Sequence, residues 1–198
     1  MDYKTIANDG IVEEEIKKSR FICHLKRISS EEEGREYIAQ IKKEHHKANH
    51  SCSAMIVGDD GQIKRSSDDG EPSGTAGVPM LTVLEKQGLT NVVAVVTRYF
   101  GGIKLGTSGL IVAYKAAAAE AIAAATIIEK TVDEDVTVMF EYPFMNDIMR
   151  IVKEEEPEIL SQSYDMDCSM TLCIRRSMMP KLRARLEKVE TARILDEE

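Results

Sequence analysis

The hydrophobic pattern of the chain centres on one uninterrupted apolar run, residues 91–97, in which β-branched side chains predominate. Such a run is typical of a strand covered on both faces, so we predict a central strand here. An alanine-rich stretch, residues 110–125, has the composition and apolar spacing of a helix. A segment with several glycines, residues 98–109, lies between them. We therefore predict a strand, a glycine-rich loop and a helix in direct succession.

Apolar and polar residues alternate elsewhere in a way that predicts strands over 10–17, 19–28, 51–58 and 62–66, and helices over 30–45 and 79–87. We expect an α+β fold whose first domain, residues 1–130, is an α/β sandwich with helices on one face of a mixed sheet. A β-α-β-β-α-β order follows. It predicts a small ferredoxin-like C-terminal domain over residues 131–198.

Charge is distributed unevenly over the 198 residues, whose formal net charge is −8. Residues 1–130 hold 17 Lys and Arg against 18 Asp and Glu, and residues 131–198 hold 9 against 16. The second domain is therefore a poor candidate for gripping a phosphate backbone by bulk charge, and the first is the better one.

Sorting signals are missing from the pattern. The first residues lack the succession of basic, apolar and small side chains that marks a signal peptide, and Lys115 and Glu120 interrupt the alanine-rich helix. We therefore expect a cytoplasmic protein without a membrane partner.

The glycine-rich loop combines features of an anion site. A helix N-terminus that follows a glycine loop offers free N–H groups and the positive end of the helix dipole. Arg98 and Lys104 add two cations, and two neighbouring aromatic rings could stack on bases. An open alternative is a tight turn whose glycines only permit close packing. The candidate residues for binding a ligand or nucleic acid are Arg98, Tyr99, Phe100, Gly101, Gly102, Lys104, Gly106, Thr107 and Ser108.

A second candidate cluster precedes the helix at 79–87. Asp68, Asp69 and Glu71 stand in a loop rich in Gly and Pro, and with His50 they form the candidate catalytic set. They could also hold a hard cation, pair with the cations of the glycine-rich loop, or form only a solvated acidic turn. We expect this loop to face the glycine-rich loop, with His50 nearby.

Cysteine and histidine add little to this chemistry. The four cysteines form no CxxC pair and are best interpreted as reduced core thiols, although Cys52 lies two residues from His50 and a nucleophilic role is an alternative. His45 and His46 fit a solvated helix end better than a metal site. We predict neither a metal nor a cofactor.

Two long segments resemble a known family. GEPSGTAGVPML and VVTRYFGGIKLGTSGL, separated by residues 82–94, are similar to the signature of the Impact family, also called the YigZ family, and Ala48-Asn49-His50 also fits its pattern. The resemblance covers residues 48–120 and the length resembles that of bacterial two-domain members. It implies a first domain like domain IV of elongation factor G and a second like its domain V.

Three classes of function remain open. The resemblance favours a translation-linked regulatory protein that docks on RNA, the ribosome or a translation-control partner, because eukaryotic members of the family regulate translation. The density of reactive side chains favours an enzyme acting on a small phosphorylated or nucleotide ligand. The third class is a protein-interaction module without chemistry.

Overall fold

The computed structural model describes residues 2–195, and these fall into two compact units with a boundary between Lys130 and Thr131. Each unit is described by itself. The first contains seven strands and three helices: β1 (Tyr3–Ile6), β2 (Gly10–Ile16), β3 (Ser19–Arg27), α1 (Glu31–Glu44), β4 (His50–Val57), β5 (Ile63–Ser67), α2 (Gly77–Lys86), β6 (Val92–Tyr99), α3 (Gly106–Ala124) and β7 (Ile127–Lys130).

Five of these strands form one sheet in the order β2-β3-β6-β4-β5. The predicted central strand is confirmed, because β6 pairs with β3 on one side and with β4 on the other. Its residues from Val92 to Thr97 are all buried. Every neighbouring pair in this sheet is antiparallel, so the expected mixed sheet is wrong.

The two faces of the sheet carry separate cores. Helices α2 and α3 pack on the face that presents Phe21, Cys23 and Leu25. Helix α1 packs on the other face, where Ile41 meets Met55 and the buried valines of β6. The expectation that all helices lie on one face is therefore wrong. An uninterrupted apolar central strand requires cover on both sides, since each of its faces would otherwise be wet.

A small two-stranded sheet joins the ends of the first unit. Strand β1 pairs antiparallel with β7, from Tyr3 opposite Lys130 to Ile6 opposite Ile127. Neither strand was predicted, because each is only four residues long and carries too few positions for a period to be read.

The second unit has a β-α-β-β-α-β order. Its elements are β8 (Asp133–Phe140), a 3₁₀ turn (Tyr142–Phe144), α4 (Met145–Glu155), β9 (Glu158–Tyr164), β10 (Cys168–Arg175), α5 (Met179–Leu186) and β11 (Arg193–Leu195). The strands form an antiparallel sheet in the order β11-β8-β10-β9, which is the ferredoxin-like arrangement. The core contains Val138, Ile148 and Leu182. The described residues therefore have an α+β architecture. None of their helices is long and apolar enough to cross a membrane.

Candidate functional site

A cavity of about 430 Å³ opens where β6 ends and the chain turns towards α3. It brings together residues from both predicted clusters and from β4. Its lining residues are Asn49, His50, Glu71, Pro72, Arg98, Phe100, Lys104, Leu105, Gly106, Thr107 and Leu110. The loop with the carboxylates and the glycine-rich loop therefore meet here, through Glu71 and Lys104.

Glu71 and Arg98 form a buried ion pair that lines the cavity. We call these two residues, together with Tyr114, which bonds to Glu71, the inner side of the cavity. Arg98 Nη1 donates to Glu71 Oε1 at 2.7 Å, and Tyr114 Oη donates to the same oxygen at 2.7 Å. Glu71 is 7% exposed and Arg98 6% exposed. A pair so deeply buried is stable only while both charges are satisfied, so each partner fixes the position of the other.

Arg98 is enclosed from several directions. Its guanidinium lies 5.7 Å from the ring centre of Phe21 and 5.5 Å from that of Phe100. The structure pairs this guanidinium with Glu71, which is the carboxylate–cation pairing that the sequence left open as an alternative to phosphate binding. One buried donor of Arg98, its Nε, is left without a hydrogen-bond partner within residues 2–195.

His50 lies between the backbone and Glu71. Its Nδ1 is 2.9 Å from the carbonyl oxygen of Asp69, and its Nε2 is 3.8 Å from Glu71 Oε2. A carbonyl oxygen can only accept, so Nδ1 carries the hydrogen and Nε2 faces Glu71 at the cavity.

The glycine-rich loop forms the outer side of the cavity, which we call the loop side and define as Phe100, Lys104 and the first turn of α3. Phe100 is 46% exposed and Lys104 is exposed. No side chain caps α3, and its first turn contains no acidic residue. Its free N–H groups and dipole therefore favour an anion. Because α3 begins at Gly106, Thr107 and Ser108 belong to the helix rather than to the predicted loop.

Two loop glycines have different structural roles. A Cβ atom on Gly101 would lie 1.9 Å from the carbonyl oxygen of Lys18, so this position admits only glycine without a shift of the backbone. Gly102 has a φ of +90°, a conformation that other residues rarely adopt. The alternative interpretation, glycines that permit close packing, thus holds for Gly101. Ser108 is exposed but does not line the cavity.

Tyr99 does not belong to this site. Neighbouring residues on a strand point to opposite faces, so Arg98 and Tyr99 diverge. The hydroxyl of Tyr99 meets Nδ1 of His45 at 2.8 Å, at the end of α1 on the other side of the sheet. The pairing of Tyr99 and Phe100 as one stacking surface is therefore wrong. His45 is half-buried against Tyr99 and His24, so the solvated helix end was also wrong for this residue.

Asp68 caps the start of α2 instead of lining the cavity. Its two carboxylate oxygens accept the backbone N–H groups of Gly74, Ala76 and Gly77 at 2.9, 3.1 and 2.8 Å. Burial opposes its ionisation, but these three donors outweigh burial and keep the pKa of Asp68 below its ordinary value. A carboxylate that accepts three backbone hydrogen bonds is a structural group. Asp68 is therefore not supported as a catalytic residue.

Asp69 is likewise occupied within the fold. It accepts a hydrogen bond from Lys42 of α1 at 2.7 Å and from the backbone N–H of Ser51 at 2.7 Å. Burial raises and these contacts lower the pKa of Asp69, which lies below its ordinary value overall. Asp69 also has a φ of +44°, which places its carbonyl oxygen against His50. It positions His50 and does not reach the cavity lining.

Cys52 lies beneath the site but is a poor nucleophile. Burial raises the pKa of its thiol to about 12, and its Sγ donates to the carbonyl oxygen of Asp68 at 3.0 Å. A thiol that stays protonated near neutral pH does not attack, so the nucleophilic alternative is not supported by the structure. All four cysteines are free, and no group of three or more His, Cys, Asp or Glu within residues 2–195 is arranged to hold a metal.

Two residues with side-chain hydrogen bonds at this site were not predicted. Asn49 Oδ1 accepts the backbone N–H of Phe100 at 2.8 Å and so ties β4 to the glycine-rich loop. Tyr114 reaches Glu71 from the middle of α3. Tyr114 is the one aromatic residue of the alanine-rich helix α3, and a buried tyrosine hydroxyl usually has a polar partner. Asn49 stands beside His50 in the resemblance but gives no separate signal.

The fold and the cavity define a two-domain α+β protein with a buried arginine–glutamate pair beneath an open, cation-edged cavity. The Impact N-terminal domain family model matches residues 17–122, which include every residue that lines the cavity. The chain is 46% identical over 154 residues to the IMPACT family member YvyE of Bacillus subtilis, covering 78% of this chain and 71% of that protein. It is 36% identical over 177 residues to the IMPACT family member YigZ of Escherichia coli, covering 88% and 87%.

A solved structure supports the same assignment over the whole length. A crystal structure described as that of a hypothetical protein aligns with 100% of this chain and 98% of its own, with 33% identity and a TM-score of 0.70. The chain belongs to the Impact family. The expected resemblance is thus confirmed.

Proposed function

We propose that this protein is a translation-linked binding protein and that its cavity receives a phosphate group of RNA. The observation that carries the proposal is the loop side, where an exposed lysine, a half-exposed aromatic ring and an uncapped helix N-terminus meet. Single-stranded nucleic acid needs these features: cations and N–H groups for phosphate, and a ring on which an unpaired base stacks.

The geometry divides the work among the cavity residues. The first N–H groups of α3 and the ammonium of Lys104 take the phosphate oxygens, and the free side of Phe100 takes a base. Arg98 already pairs with Glu71, so it is not a free charge for the ligand. It forms a rigid inner side of the cavity, and its Nε is a buried donor without a partner within residues 2–195.

Family membership supports the link to translation, because eukaryotic members of the Impact family regulate translation. The competing proposal is that the same surface binds a protein partner in translation control and no RNA. The acidic second unit makes RNA binding a property of the first unit.

Sedimentation with ribosomes and with total RNA at low and moderate salt tests the proposal. We expect the protein to sediment with one or both at low salt, less so at moderate salt, and a Lys104→Gln variant to sediment less at both. Lys86→Gln, at the end of α2, is the matched control. Absence of the wild-type protein from both pellets at low salt would contradict the proposal.

An enzyme is the second candidate, favoured by one observation. His50 Nε2 faces the carboxylate of Glu71 at 3.8 Å within a cavity suited to phosphate, which is an arrangement for proton transfer. A thermal-shift screen of nucleotides and sugar phosphates tests it, followed by turnover of any compound that binds. Conversion that survives His50→Gln unchanged would rule out this role for the His50–Glu71 pair.

A further inference from the structure

The turn between β2 and β3 contains two lysines in an unusual backbone conformation. Ile16 pairs with Ser19, so Lys17 and Lys18 alone form the turn. Both have positive φ values, 48° and 66°. Two-residue hairpin turns of this kind favour Asn-Gly, because other side chains are strained at positive φ. The sequence thus places two lysines at positions where the backbone conformation favours asparagine and glycine.

This turn is fixed against the glycine-rich loop. Gly101 lies so close to Lys18 that a Cβ atom there would lie 1.9 Å from the Lys18 carbonyl oxygen and 2.6 Å from its Cβ. The backbone N–H of Gly101 donates to Ser19 Oγ at 3.2 Å. The Lys17–Lys18 turn and the loop side of the cavity therefore form one continuous surface.

The charges on this surface are uncommitted. Lys17, Lys18 and Lys104 are exposed, and within residues 2–195 none of their side chains forms an ion pair or hydrogen bond. Their nearest basic neighbour along the strand, Arg20, is different, because Glu13 holds it in a bidentate pair. The turn lysines are free to bind an external anion.

We propose that Lys17 and Lys18 bind successive phosphates of a single-stranded RNA whose neighbouring nucleotide occupies the cavity. This inference rests on the proposed function and names the class of ligand more closely. A single strand is favoured over a duplex because the exposed ring of Phe100 lies on the same surface and stacks on bases only where they are unpaired. Strained backbone kept at a ligand site is a known pattern, since function then outweighs the local cost.

The test uses the full chain and the substitution Lys17→Asn with Lys18→Gly, which installs the preferred turn residues. A purely structural role predicts a higher melting temperature and no other change. Our proposal predicts the higher melting temperature together with several-fold weaker binding to a single-stranded oligonucleotide. The slope of log affinity against log salt should fall by about 1.4, because each phosphate contact on single strands contributes about 0.7.

The controls separate the inference from the proposed function. Lys86→Gln with Lys130→Gln removes two charges at the last residues of α2 and β7 and should leave the slope unchanged. Lys104→Gln reports on the cavity alone. If Lys104→Gln weakens binding while the turn variant binds like the wild type, the inference is overturned and the proposed function stands. If the wild-type protein does not bind the oligonucleotide, both fall together.

Discussion

The two sides of the cavity differ in how far the protein satisfies their polar groups. On the inner side, Glu71 accepts from Arg98 and Tyr114, and all three side chains are buried. On the loop side, Lys104 and the first turn of α3 have no protein partner of that kind within residues 2–195. Burial and pairing of opposite charges are typical of groups that hold a fold together, and exposed unpaired groups are available to a ligand.

The largest effect should follow from breaking the inner side. Glu71→Leu leaves Arg98 buried without its counter-charge, which should lower the free energy of unfolding by about 3–5 kcal/mol. Denaturant titration measures this loss. Arg98→Met in the same chain should recover part of it, because the uncompensated charge is then gone.

Glu155 in the second unit provides the matched control. It is also buried, but its partners Lys181 and Arg185 reach solvent, with 68% and 31% of their side chains exposed. Glu155→Leu should therefore cost only about 1 kcal/mol, since both cations can rehydrate. Equal losses in the two variants would contradict the distinction between a pair in which both partners are buried and one whose cations reach solvent.

The link between the loop side and the Lys17–Lys18 turn should be the next most sensitive feature. Gly101→Ala forces a methyl group against the Lys18 carbonyl oxygen and should cost about 1–3 kcal/mol in thermal or chemical unfolding. Gly10→Ala is the control, because a Cβ atom there meets nothing within 4 Å. A neutral Gly101→Ala would show that the turn and the loop are not held together.

Asp68 gives a smaller, pH-dependent effect on the carboxylate loop. Asp68→Asn should cost about 1 kcal/mol at pH 7, since it weakens the cap of α2. The pKa of Asp68 is lowered in the folded state, so its contribution is complete above the unfolded value of about 3.9 and is lost as pH falls through the folded value. The variant should therefore lose less stability than the wild type during acid titration below pH 4.

The control for Asp68→Asn is the same acid titration of an Asp2→Asn variant, which removes an exposed side-chain carboxylate. It should follow the wild-type curve. A coincident curve for Asp68→Asn would contradict the cap.

The smallest effect on stability should come from the loop side itself. Lys104→Gln removes an exposed, unpaired charge and should change the free energy of unfolding by less than about 0.5 kcal/mol. The same change should lower the salt slope of RNA binding by about 0.7. A loss of stability without any change in RNA binding would contradict the assignment of Lys104 to ligand binding rather than to stability.

Sequence patterns were sufficient to predict those parts of the fold that a single physical requirement determines. The apolar run of β6 required cover on both faces, and the meeting of Glu71 with the glycine-rich loop followed the expectation for those segments. Alternation along a strand could also have separated Tyr99 from Arg98, because adjacent strand residues point apart.

Other features depend on contacts that no local pattern contains. Pairing of the carboxylate loop with a cation of the glycine-rich loop was one alternative, but no local pattern shows that Glu71, twenty-seven positions earlier, is the partner or that Arg98 is buried. Asp68 became a cap because the chain returns to it six to nine residues later. The turn lysines carried no signal in the sequence, since only the approach of Gly101 places them beside the glycine-rich loop.

The position of β6 in the sheet has a consequence for how the chain folds. Strands β3 and β4 both pair with β6, yet β6 follows them in sequence, so two separate hairpins precede it during synthesis. Until β6 arrives, each hairpin leaves unpaired the strand edge that β6 later covers, and such an edge is a template for intermolecular pairing. We expect a slow, concentration-sensitive refolding phase in which the insertion of β6 is the committing step, independent of any ligand.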